Sequence, residues 1–362
     1  MKCIFVIPRM GGGGAERVVS LLSSALAENG NDITIFTLVG GDSFYELNAK
    51  VHFESVGVTV SRKNKLSRML SELIFLPKSF FALYKRLKSG KYDVVISMLT
   101  ECDLIVGCCK LFGLRFKHIC SERNDPFKRK GIYFSLLKMV YRQASLFVCQ
   151  GEKVYGFYNT IPESRKRIIP NPVNGDDLPE HVECNSKRVV SVGRLNEQKN
   201  FALLIRSFAN LGTEFEEYKL DIYGEGPERQ SLQMLIDNLE ISDRVTLCGA
   251  KKNVQMLITD ADLYVMSSDY EGFPNALLEA MAMGLPVIST DFPTGIAAEL
   301  INEENGIVVP TRDEKAMTEA MQTLLKNADI RHSMGLKNKD KCRRYYTKNI
   351  ITEWEKAIES IL

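Results

Sequence analysis

The chain has 362 residues, more than one hydrophobic core usually supports, so we expect two domains of similar size. Its charged fraction of 25% and apolar fraction of 45% are those of an ordinary globular protein and exclude a disordered or fibrous class. No segment reaches the roughly 18 uninterrupted apolar residues of a membrane-spanning helix. The nine scattered cysteines form no C-x-x-C pair and the four histidines are isolated, which argues against a zinc site and predicts free thiols in a reducing cytosol.

Charge is distributed unevenly along the chain, although the net charge is only +2. Between Arg62 and Arg142 there are 18 Lys and Arg residues against 6 Asp and Glu, whereas the remainder holds 29 basic and 39 acidic residues. One half is therefore basic and the other acidic, which indicates an anionic partner for the basic half.

Short apolar runs alternate with amphipathic stretches along the chain, a pattern typical of parallel α/β folding. Lys2–Ile7 leads straight into a glycine loop, as a first strand does and a signal peptide does not. Further strands of the first half are predicted at Ile33–Leu38, Val51–Val56, Tyr92–Ser97, Lys117–Cys120, Ser145–Cys149 and Arg167–Pro170. Those of the second half are predicted at Arg188–Val192, Lys219–Tyr223, Val245–Leu247, Leu263–Met266, Pro286–Ser289 and Gly306–Val309. The aperiodic segment Asn171–Asn185 is the predicted linker.

A run of four glycines, Gly11–Gly14, follows the first predicted strand and precedes a helix predicted to begin near Ala15. Glycines allow the backbone to approach a ligand closely. A dinucleotide-binding fingerprint is the rival interpretation, but the run ends at Gly14 and leaves no open G-x-G-x-x-G pattern.

Two cations, Arg194 and Lys199, follow the first strand of the second half, where open α/β sheets bind ligands. A forked guanidinium and a compact ammonium suit a diphosphate, although a pair of solvated surface charges is the plain alternative. Gly224, Glu225 and Gly226 form a predicted turn after the next strand.

The segment Glu271–Gly284 reads EGFPNALLEAMAMG and carries two glutamates, Glu271 and Glu279, separated by seven residues. Pro274 can occupy the first positions of a helix, so Glu271 is predicted just outside the helix start and Glu279 inside it. The first-turn amides and the helix dipole then form an anion site between the two carboxylates, which fits a nucleotide sugar.

This segment resembles the E-x7-E motif of the retaining glycosyltransferases of family 4, which have the GT-B fold. The resemblance extends through GGGGAER (11–17), SERNDP (121–126), IPNPV (169–173), VGRLNEQK (192–199) and YGEGP (223–227). It implies two Rossmann-like domains that face each other across a cleft: an acceptor-binding domain of residues 1–170 and a nucleotide-sugar-binding domain of residues 171–345. It further implies that residues 346–362 cross back to the first domain, anchored by Trp354; a surface helix of the second domain is the alternative.

The resemblance also implies roles for individual residues. Catalysis would involve Glu271, Arg194 and Lys199, and Glu279 would hold the ribose hydroxyls. The other donor-binding positions would be Gly13, Gly14, Gly193, Gly224, Glu225, Gly272, Phe273, Pro274, Asn275 and Leu278. No cofactor and no metal are expected.

Many members of the family place a histidine in the loop that here reads Ser121–Pro126. The nearest histidine in this chain, His118, lies within the predicted strand, so Glu122 or Arg123 takes that position. With Glu16, these two residues are the expected acceptor-binding group. A salt-bridged loop residue is the alternative for Glu122, and the group that deprotonates the acceptor stays unassigned.

Asp260-Ala261-Asp262 superficially matches the D-x-D metal motif of the other major glycosyltransferase fold. Because the motif leads directly into the predicted strand Leu263–Met266, we expect Asp260 to cap a loop and Asp262 to start the strand.

The stretch Arg62–Lys91 contains nine basic residues and one acidic residue, Glu72, interleaved with leucines and aromatic residues. Basic amphipathic helices of this kind lie on anionic membrane surfaces. The alternative is a Rossmann helix with solvated charges. Nucleic acid is not expected as a partner, because no recognition motif accompanies the charge.

From the resemblance we expect transfer of a hexose or N-acetylhexosamine from a nucleoside-diphosphate sugar, most plausibly a UDP-sugar, to a glycan on a polyprenyl diphosphate. An α-linked product and a peripheral position on the cytoplasmic face of the inner membrane are also implied. Two other classes stay open: a sugar-nucleotide epimerase of the same fold and a non-catalytic glycan-binding scaffold.

Overall fold

The computed structural model describes residues 1–56, 65–182 and 184–362, and for residues 65–76 it describes only the backbone. These residues divide into two compact units, Met1–Pro172 together with Thr347–Leu362, and Val173–Tyr346. The boundaries expected from the sequence are 170/171 and 345/346. Both units are parallel α/β domains, so the predicted fold class is confirmed at this level.

The first unit is built on a seven-stranded parallel sheet with the order β3-β2-β1-β4-β5-β6-β7. Parallel strands covered on both faces need nearly continuous apolar sequence, and the residues Cys3–Ile7 of the first strand are accordingly all fully buried. The order reverses direction between β1 and β4, which is a topological switch point. The strands are β1 (Lys2–Ile7), β2 (Asp32–Thr37), β3 (His52–Ser55), β4 (Val94–Met98), β5 (Lys117–Ser121), β6 (Leu146–Cys149) and β7 (Lys166–Ile168).

Helices cover both faces of this sheet. They are α1 (Gly14–Glu28), α2 (Lys65–Gly90), α3 (Thr100–Leu111), α4 (Ile132–Gln143), α5 (Glu152–Phe157) and the C-terminal α12 (Thr347–Glu359). α12 packs against α1, and its Trp354 is fully buried in the core of the first unit. The helices α2, α3 and α4 form the layer on the other face, each packed against its neighbour.

The second unit has a six-stranded parallel sheet with the order β10-β9-β8-β11-β12-β13 and a switch point between β8 and β11. Its strands are β8 (Arg188–Val192), β9 (Lys219–Tyr223), β10 (Val245–Gly249), β11 (Leu263–Met266), β12 (Val287–Asp291) and β13 (Ile307–Pro310). Its helices are α6 (Phe201–Ala209), α7 (Arg229–Asn238), α8 (Asn275–Met283), α9 (Ile296–Leu300), α10 (Glu314–Lys326) and α11 (Ala328–Cys342).

The basic stretch Arg62–Lys91 is described only in part. Residues 62–64 lie outside the described residues, α2 contains residues 65–90, and Lys91 follows the helix. From residue 77 onward, Lys78, Lys85, Lys88 and Lys91 are exposed. Arg86 instead forms a two-pronged ion pair with Glu54, with both N–O distances 2.6 Å. Among the described helices, none is both long enough and apolar enough to cross a membrane.

Candidate active site

The predicted donor-binding residues of the second unit collect at one edge of its sheet. Gly193–Lys199 follow β8, Gly224 and Glu225 follow β9, and Glu271 follows β11. These three strands are neighbours, and β8 and β11 flank the switch point. Carboxyl ends of parallel strands at a switch point form the crevice where open α/β sheets bind ligands. The fold therefore brings together residues that lie up to 78 positions apart in the sequence.

The Glu271 carboxylate lies at the centre of this edge and is only 6% exposed. Its Oε1 accepts hydrogen bonds from Lys199 Nζ at 2.6 Å and from the Ser268 hydroxyl at 2.7 Å. Its Oε2 accepts a hydrogen bond from Gln198 Nε2 at 3.0 Å. A buried carboxylate needs such partners, because an unpaired charge in the interior is costly.

The loops that carry these groups are fastened to each other through the backbone. The Asp269 amide donates to the Gln198 carbonyl at 2.8 Å, and the Ser267 hydroxyl donates to the Lys199 carbonyl at 2.8 Å. The Thr294 hydroxyl donates to the Glu271 carbonyl at 3.1 Å. The relative position of Lys199 and Glu271 is therefore set by the scaffold and not only by their own ion pair.

Arg194 and Lys199 lie on the same loop but have different surroundings. Arg194 is exposed, and among the residues that the structure describes its guanidinium has no hydrogen-bond or ion-pair partner. The loop beside it is unusually close to the next one: a Cβ at Gly224 would collide with the Gly193 carbonyl oxygen, and Gly224 has a φ of +153°. Glu225, in the same turn, is exposed and pairs with Arg229 at 2.9 Å.

The E-x7-E helix begins one position later than predicted. α8 starts at Asn275, and Pro274 is its N-cap with ψ of 72°, outside the helical region. Glu279 lies in the second turn, is partly buried, and accepts a hydrogen bond from Gln255 Nε2 at 2.6 Å. The prediction that Leu278 contacts a ligand needs correction, because its side chain is fully buried in the core and its amide donates to the Pro274 carbonyl.

The glycine loop of the first unit is shaped by the residues around it. α1 begins at Gly14, one residue earlier than predicted, with Gly13 as its N-cap. The Glu16 carboxylate folds over Gly13 so closely that a Cβ there would collide with it. The Tyr45 hydroxyl donates to the Gly13 carbonyl at 3.2 Å. Glu16 is thus part of the loop's own structure.

Glu122 is placed differently from what the sequence suggested. It is 2% exposed, and its carboxylate is bound by Arg129 (2.5 and 3.0 Å), by the hydroxyls of Tyr158 (2.8 Å) and Tyr141 (3.2 Å), and by two backbone amides of its own loop. With every oxygen engaged, the side chain is not placed to contact an acceptor. The alternative, a salt-bridged loop residue, describes what is observed.

Arg123 also points into the first unit. It is 7% exposed, its Nη1 donates to Asn171, and its guanidinium lies 5.8 Å from the centre of the Trp354 ring. Burial lowers the pKa of Arg123 to about 9. Its Nε and Nη2 have no partner among the described residues. The expected contact between Arg123 and an acceptor is therefore not placed by the structure either.

The acidic residues of the D-x-D sequence both pair with arginines. Asp260 binds Arg188, which also bridges to Asp221, and Asp262 lies 3.7 Å from Arg331 immediately before β11. Within the described part of the chain, Asp103, His118 and Cys120 form the only group of acidic, His or Cys side chains close enough to share a metal ion.

The Ser97 hydroxyl lies within that second group, 2.5 Å from Asp103 Oδ1 and 2.8 Å from His118 Nε2. Burial raises the pKa of Asp103 well above its usual range and lowers the pKa of His118 to about 3. Burial thus disfavours the charged form of both side chains, and the group is a closed hydrogen-bond network and not an open set of ligands.

Sequence reasoning missed the residues that hold the two glutamates. Gln198 and Ser268 bind Glu271, and Gln255 binds Glu279. Ser268 could have been recognised, because it lies two residues after a buried parallel strand at the ligand-binding edge. Gln255 gives no such signal, since it belongs to the short 3₁₀ helix Val254–Leu257 and lies 24 residues before Glu279.

Comparison with known proteins gives a consistent result for both halves of the chain. The model of the "Glycosyltransferase Family 4" matches residues 12–177, and that of the "Glycosyl transferases group 1" matches residues 179–341. A Campylobacter jejuni α-1,4-N-acetyl-D-galactosaminyltransferase, named for the substrate GalNAc-α-(1→4)-GalNAc-α-(1→3)-diNAcBac-PP-undecaprenol, is 27% identical over 100% of this chain and 99% of its own length.

Two solved structures share the architecture. Sucrose-phosphate synthase from Thermosynechococcus elongatus matches with a TM-score of 0.84 and 19% identity over 98% of this chain and 97% of its own. Staphylococcus aureus TarM, in a complex that contains UDP, matches with a TM-score of 0.80 and 15% identity over 99% of each chain.

Two parallel-sheet α/β units, with a carboxylate and cations gathered at the switch point of the second, define the class as a GT-B glycosyltransferase. The two family models together leave few residues unmatched. The chain belongs to glycosyltransferase family 4, and it is a hexosyltransferase.

Proposed function

We propose that the enzyme transfers a hexose or N-acetylhexosamine from a UDP-sugar to a glycan carried on a polyprenyl diphosphate, with retention of the α configuration. The observation that carries the donor half of this proposal is the buried Glu271–Lys199 pair beside the open Arg194 guanidinium. The C. jejuni relative, named for an undecaprenyl diphosphate-linked acceptor, supports the acceptor half.

In the proposed complex, Arg194 and Lys199 bind the diphosphate of the donor. Arg194 has no partner to give up among the described residues, and Lys199 can contact a phosphate while Ser268 and Gln198 continue to hold Glu271. Glu271 lies near the donor hexose, with Gly272, Phe273, Pro274 and Asn275 beside it. Glu279 binds the ribose hydroxyls, and Gly224 and Glu225 adjoin the nucleobase.

During transfer, the bond between the anomeric carbon and the diphosphate oxygen breaks, and the acceptor oxygen bonds to that carbon from the same face. The acceptor proton passes to the departing phosphate oxygen, so no side-chain base is needed. Negative charge grows on the leaving diphosphate in the transition state, where two fixed cations stabilise it most. This account fits the engagement of Glu122 with Arg129 and two tyrosines.

Both substrates would meet at a membrane surface, because a polyprenyl-linked glycan presents its sugars at the headgroup layer. The first unit carries the basic segment Arg62–Lys91, and its described exposed lysines are Lys78, Lys85, Lys88 and Lys91. Each basic side chain near an anionic surface contributes about 1 kcal/mol to binding. We therefore place the enzyme peripherally on the cytoplasmic face of the membrane.

The test is a transfer assay with UDP-GalNAc, UDP-GlcNAc, UDP-glucose and UDP-galactose, each offered with a polyprenyl diphosphate-linked oligosaccharide. We expect one donor to be consumed only when the acceptor is present, and proton NMR of the product to give the small anomeric coupling of an α linkage. Interconversion of UDP-sugars without acceptor would instead identify an epimerase. Absence of turnover with every donor, despite donor binding, would favour a scaffold.

A further inference from the structure

The outward side of α4 is apolar. Phe134, Leu137 and Tyr141 are buried against the sheet, which fixes the orientation of the helix. At 100° per residue the side chains opposite to them are Ile132, Leu136, Met139 and, at the helix end, Gln143; the three apolar ones are 82%, 48% and 54% exposed. An ordinary surface helix has polar residues at such positions.

Helix α10 of the second unit shows the ordinary arrangement. Its Met317, Met321 and Leu324 are buried, and its exposed positions are Lys315, Glu319, Thr323 and Lys326. The two helices have nearly the same length and the same kind of inner face. The apolar outer face of α4 is therefore not a requirement of helix-on-sheet packing, and it needs a different explanation.

The surroundings of this face indicate the chemistry of its partner. Residues 126–151 contain five basic residues and no acidic residue. Lys128, Lys130 and Arg142 flank the apolar stripe and are exposed. The neighbouring helices of the same layer add exposed apolar side chains, Phe81 from α2 and Leu111 and Phe112 at the end of α3.

We propose that the outer face of α4 inserts into the boundary between headgroups and acyl chains of an anionic lipid bilayer. Ile132, Leu136 and Met139 enter the apolar boundary, while the flanking lysines and Arg142 bind lipid phosphates. The proposal rests on the proposed lipid-linked acceptor and adds the element that inserts. The basic side chains of α2 supply long-range attraction, and α4 supplies the apolar anchor.

A second copy of the chain fits this face less well. A two-fold symmetric dimer would bring each α4 against another α4 and would place basic residues against basic residues. No acidic residue lies in the 126–151 segment to neutralise them. An anionic bilayer complements both the apolar stripe and the basic residues, because it has an apolar interior and negatively charged headgroups.

The first experiment is flotation with phosphatidylcholine vesicles that contain or lack phosphatidylglycerol. The variant Ile132→Gln/Leu136→Gln/Met139→Gln should bind the anionic vesicles about tenfold or more weakly than the parent protein. Its matched control is Met234→Gln/Leu336→Gln, which removes apolar side chains of similar exposure (52% and 59%) from the second unit and should float like the parent. The charge variant Lys130→Gln/Arg142→Gln should bind only at low salt.

The second experiment places a fluorescent reporter in the stripe. The only native tryptophan, Trp354, is fully buried and gives a constant background. In Leu136→Trp, the added emission should shift to the blue with anionic vesicles and be quenched by brominated acyl chains. In Leu336→Trp, on the second unit, it should do neither.

Several results would overturn the insertion of α4. They are a parent protein that fails to bind anionic vesicles, a triple variant that floats as well as the parent, or an unshifted Leu136→Trp. Lipid-free dimerisation of the parent that the triple variant loses would assign the face to a second copy. Turnover with the polyprenyl diphosphate-linked acceptor, dissolved in detergent without vesicles, is measured in parallel. If that turnover is absent with every donor while flotation behaves as expected, the proposed function fails and the docking surface stands.

Discussion

Among the described residues, each unit holds one buried glutamate in the loop that follows a parallel strand, and the partners of the two carboxylates are of different kinds. Glu271 in the second unit is bound by one lysine and two neutral side chains, and Arg194, which has no described partner, lies on the same loop as the lysine. Glu122 in the first unit is bound by a forked arginine, two tyrosines and two amides.

This difference indicates how the role of a buried carboxylate can be inferred. Glu271 keeps its two neutral partners, Ser268 and Gln198, if Lys199 turns toward a ligand. Its environment therefore tolerates the departure of the lysine. Glu122 has no group that can leave without exposing a buried charge, so its environment is structural. Burial and position after a strand are common to both residues and do not distinguish them.

Replacement of Glu122 by Gln gives the largest expected effect. The change removes the charge that holds Arg129, and breaking a buried ion pair in this way costs about 3–5 kcal/mol of unfolding free energy. Urea unfolding followed by Trp354 emission measures it, because this tryptophan lies in the first unit. The exposed Glu225→Gln is the control and should change little. If Glu122→Gln has the parent's unfolding free energy but no glycosyl-transfer activity, the structural role of Glu122 is wrong and the residue contacts a substrate.

Replacement of Arg194 by Ala tests the proposed ligand-binding role of the cations near Glu271. Loss of a cation that binds the leaving group should cost about 2–4 kcal/mol in the transition state, and the loss should appear in kcat as well as KM. Unfolding should not change, because the side chain has no described partner. Arg206→Ala, which removes an exposed arginine of α6, is the matched control. Normal turnover of both Arg194→Ala and Lys199→Ala would refute the diphosphate assignment.

The pH dependence of stability sharpens the structural role of the first unit. The folded-state pKa of His118 is about 3, below its usual 6.5, because burial disfavours the cation. The unfolded chain therefore binds a proton that the folded chain does not. Stability is fully present above about pH 6.5 and falls by up to about 1.4 kcal/mol per unit as the pH drops toward 3. Urea midpoints between about pH 7 and pH 4 measure this slope.

The variant His118→Gln should flatten that slope whatever its absolute stability. His52, which is largely exposed, provides the control, and His52→Gln should retain the parent slope. An unchanged slope in His118→Gln would refute the assignment of the acid response to His118. Asp103 cannot replace it, because a raised carboxyl pKa gives a slope of the opposite sign.

The smallest expected effect is that of a chelator. Asp260 and Asp262 pair with Arg188 and Arg331, and the diphosphate is assigned to Arg194 and Lys199. Excess EDTA should leave turnover within about twofold of the untreated value. Inactivation by EDTA with rescue by manganese would show that a metal ion binds the diphosphate together with Arg194 and Lys199.

The sequence was sufficient to predict the fold because its signals are local and repeated. Continuous apolar runs identify parallel strands, and β1, β8, β9 and β11 begin and end at the predicted residues. The neighbourhood of Arg194, Lys199 and Glu271 also follows from the sequence, because each residue lies in a loop after a strand and the carboxyl ends of parallel strands share one edge.

Side-chain partners were harder to predict, since they depend on tertiary packing. Nothing near Glu122 in the sequence indicates that Tyr141 and Tyr158 will reach its carboxylate, from 19 and 36 positions away. The family resemblance implies a histidine in this loop, but His118 is part of β5 and is enclosed by Ser97 and Cys120. The side of α4 that faces outward becomes clear only when Phe134 and Leu137 are seen to face the sheet.

The return of α12 to the first unit has a consequence for biosynthesis. This helix is translated after the whole second unit, and it supplies Ile350, Ile351, Trp354 and Ile358 to the core around α1. The second unit, Val173–Tyr346, contains all its own described strands and can complete its core while the chain is still being extended. The first unit is therefore begun before the second and completed after it. Until α12 leaves the ribosome, the apolar surface beneath this helix stays open to chaperones and proteases.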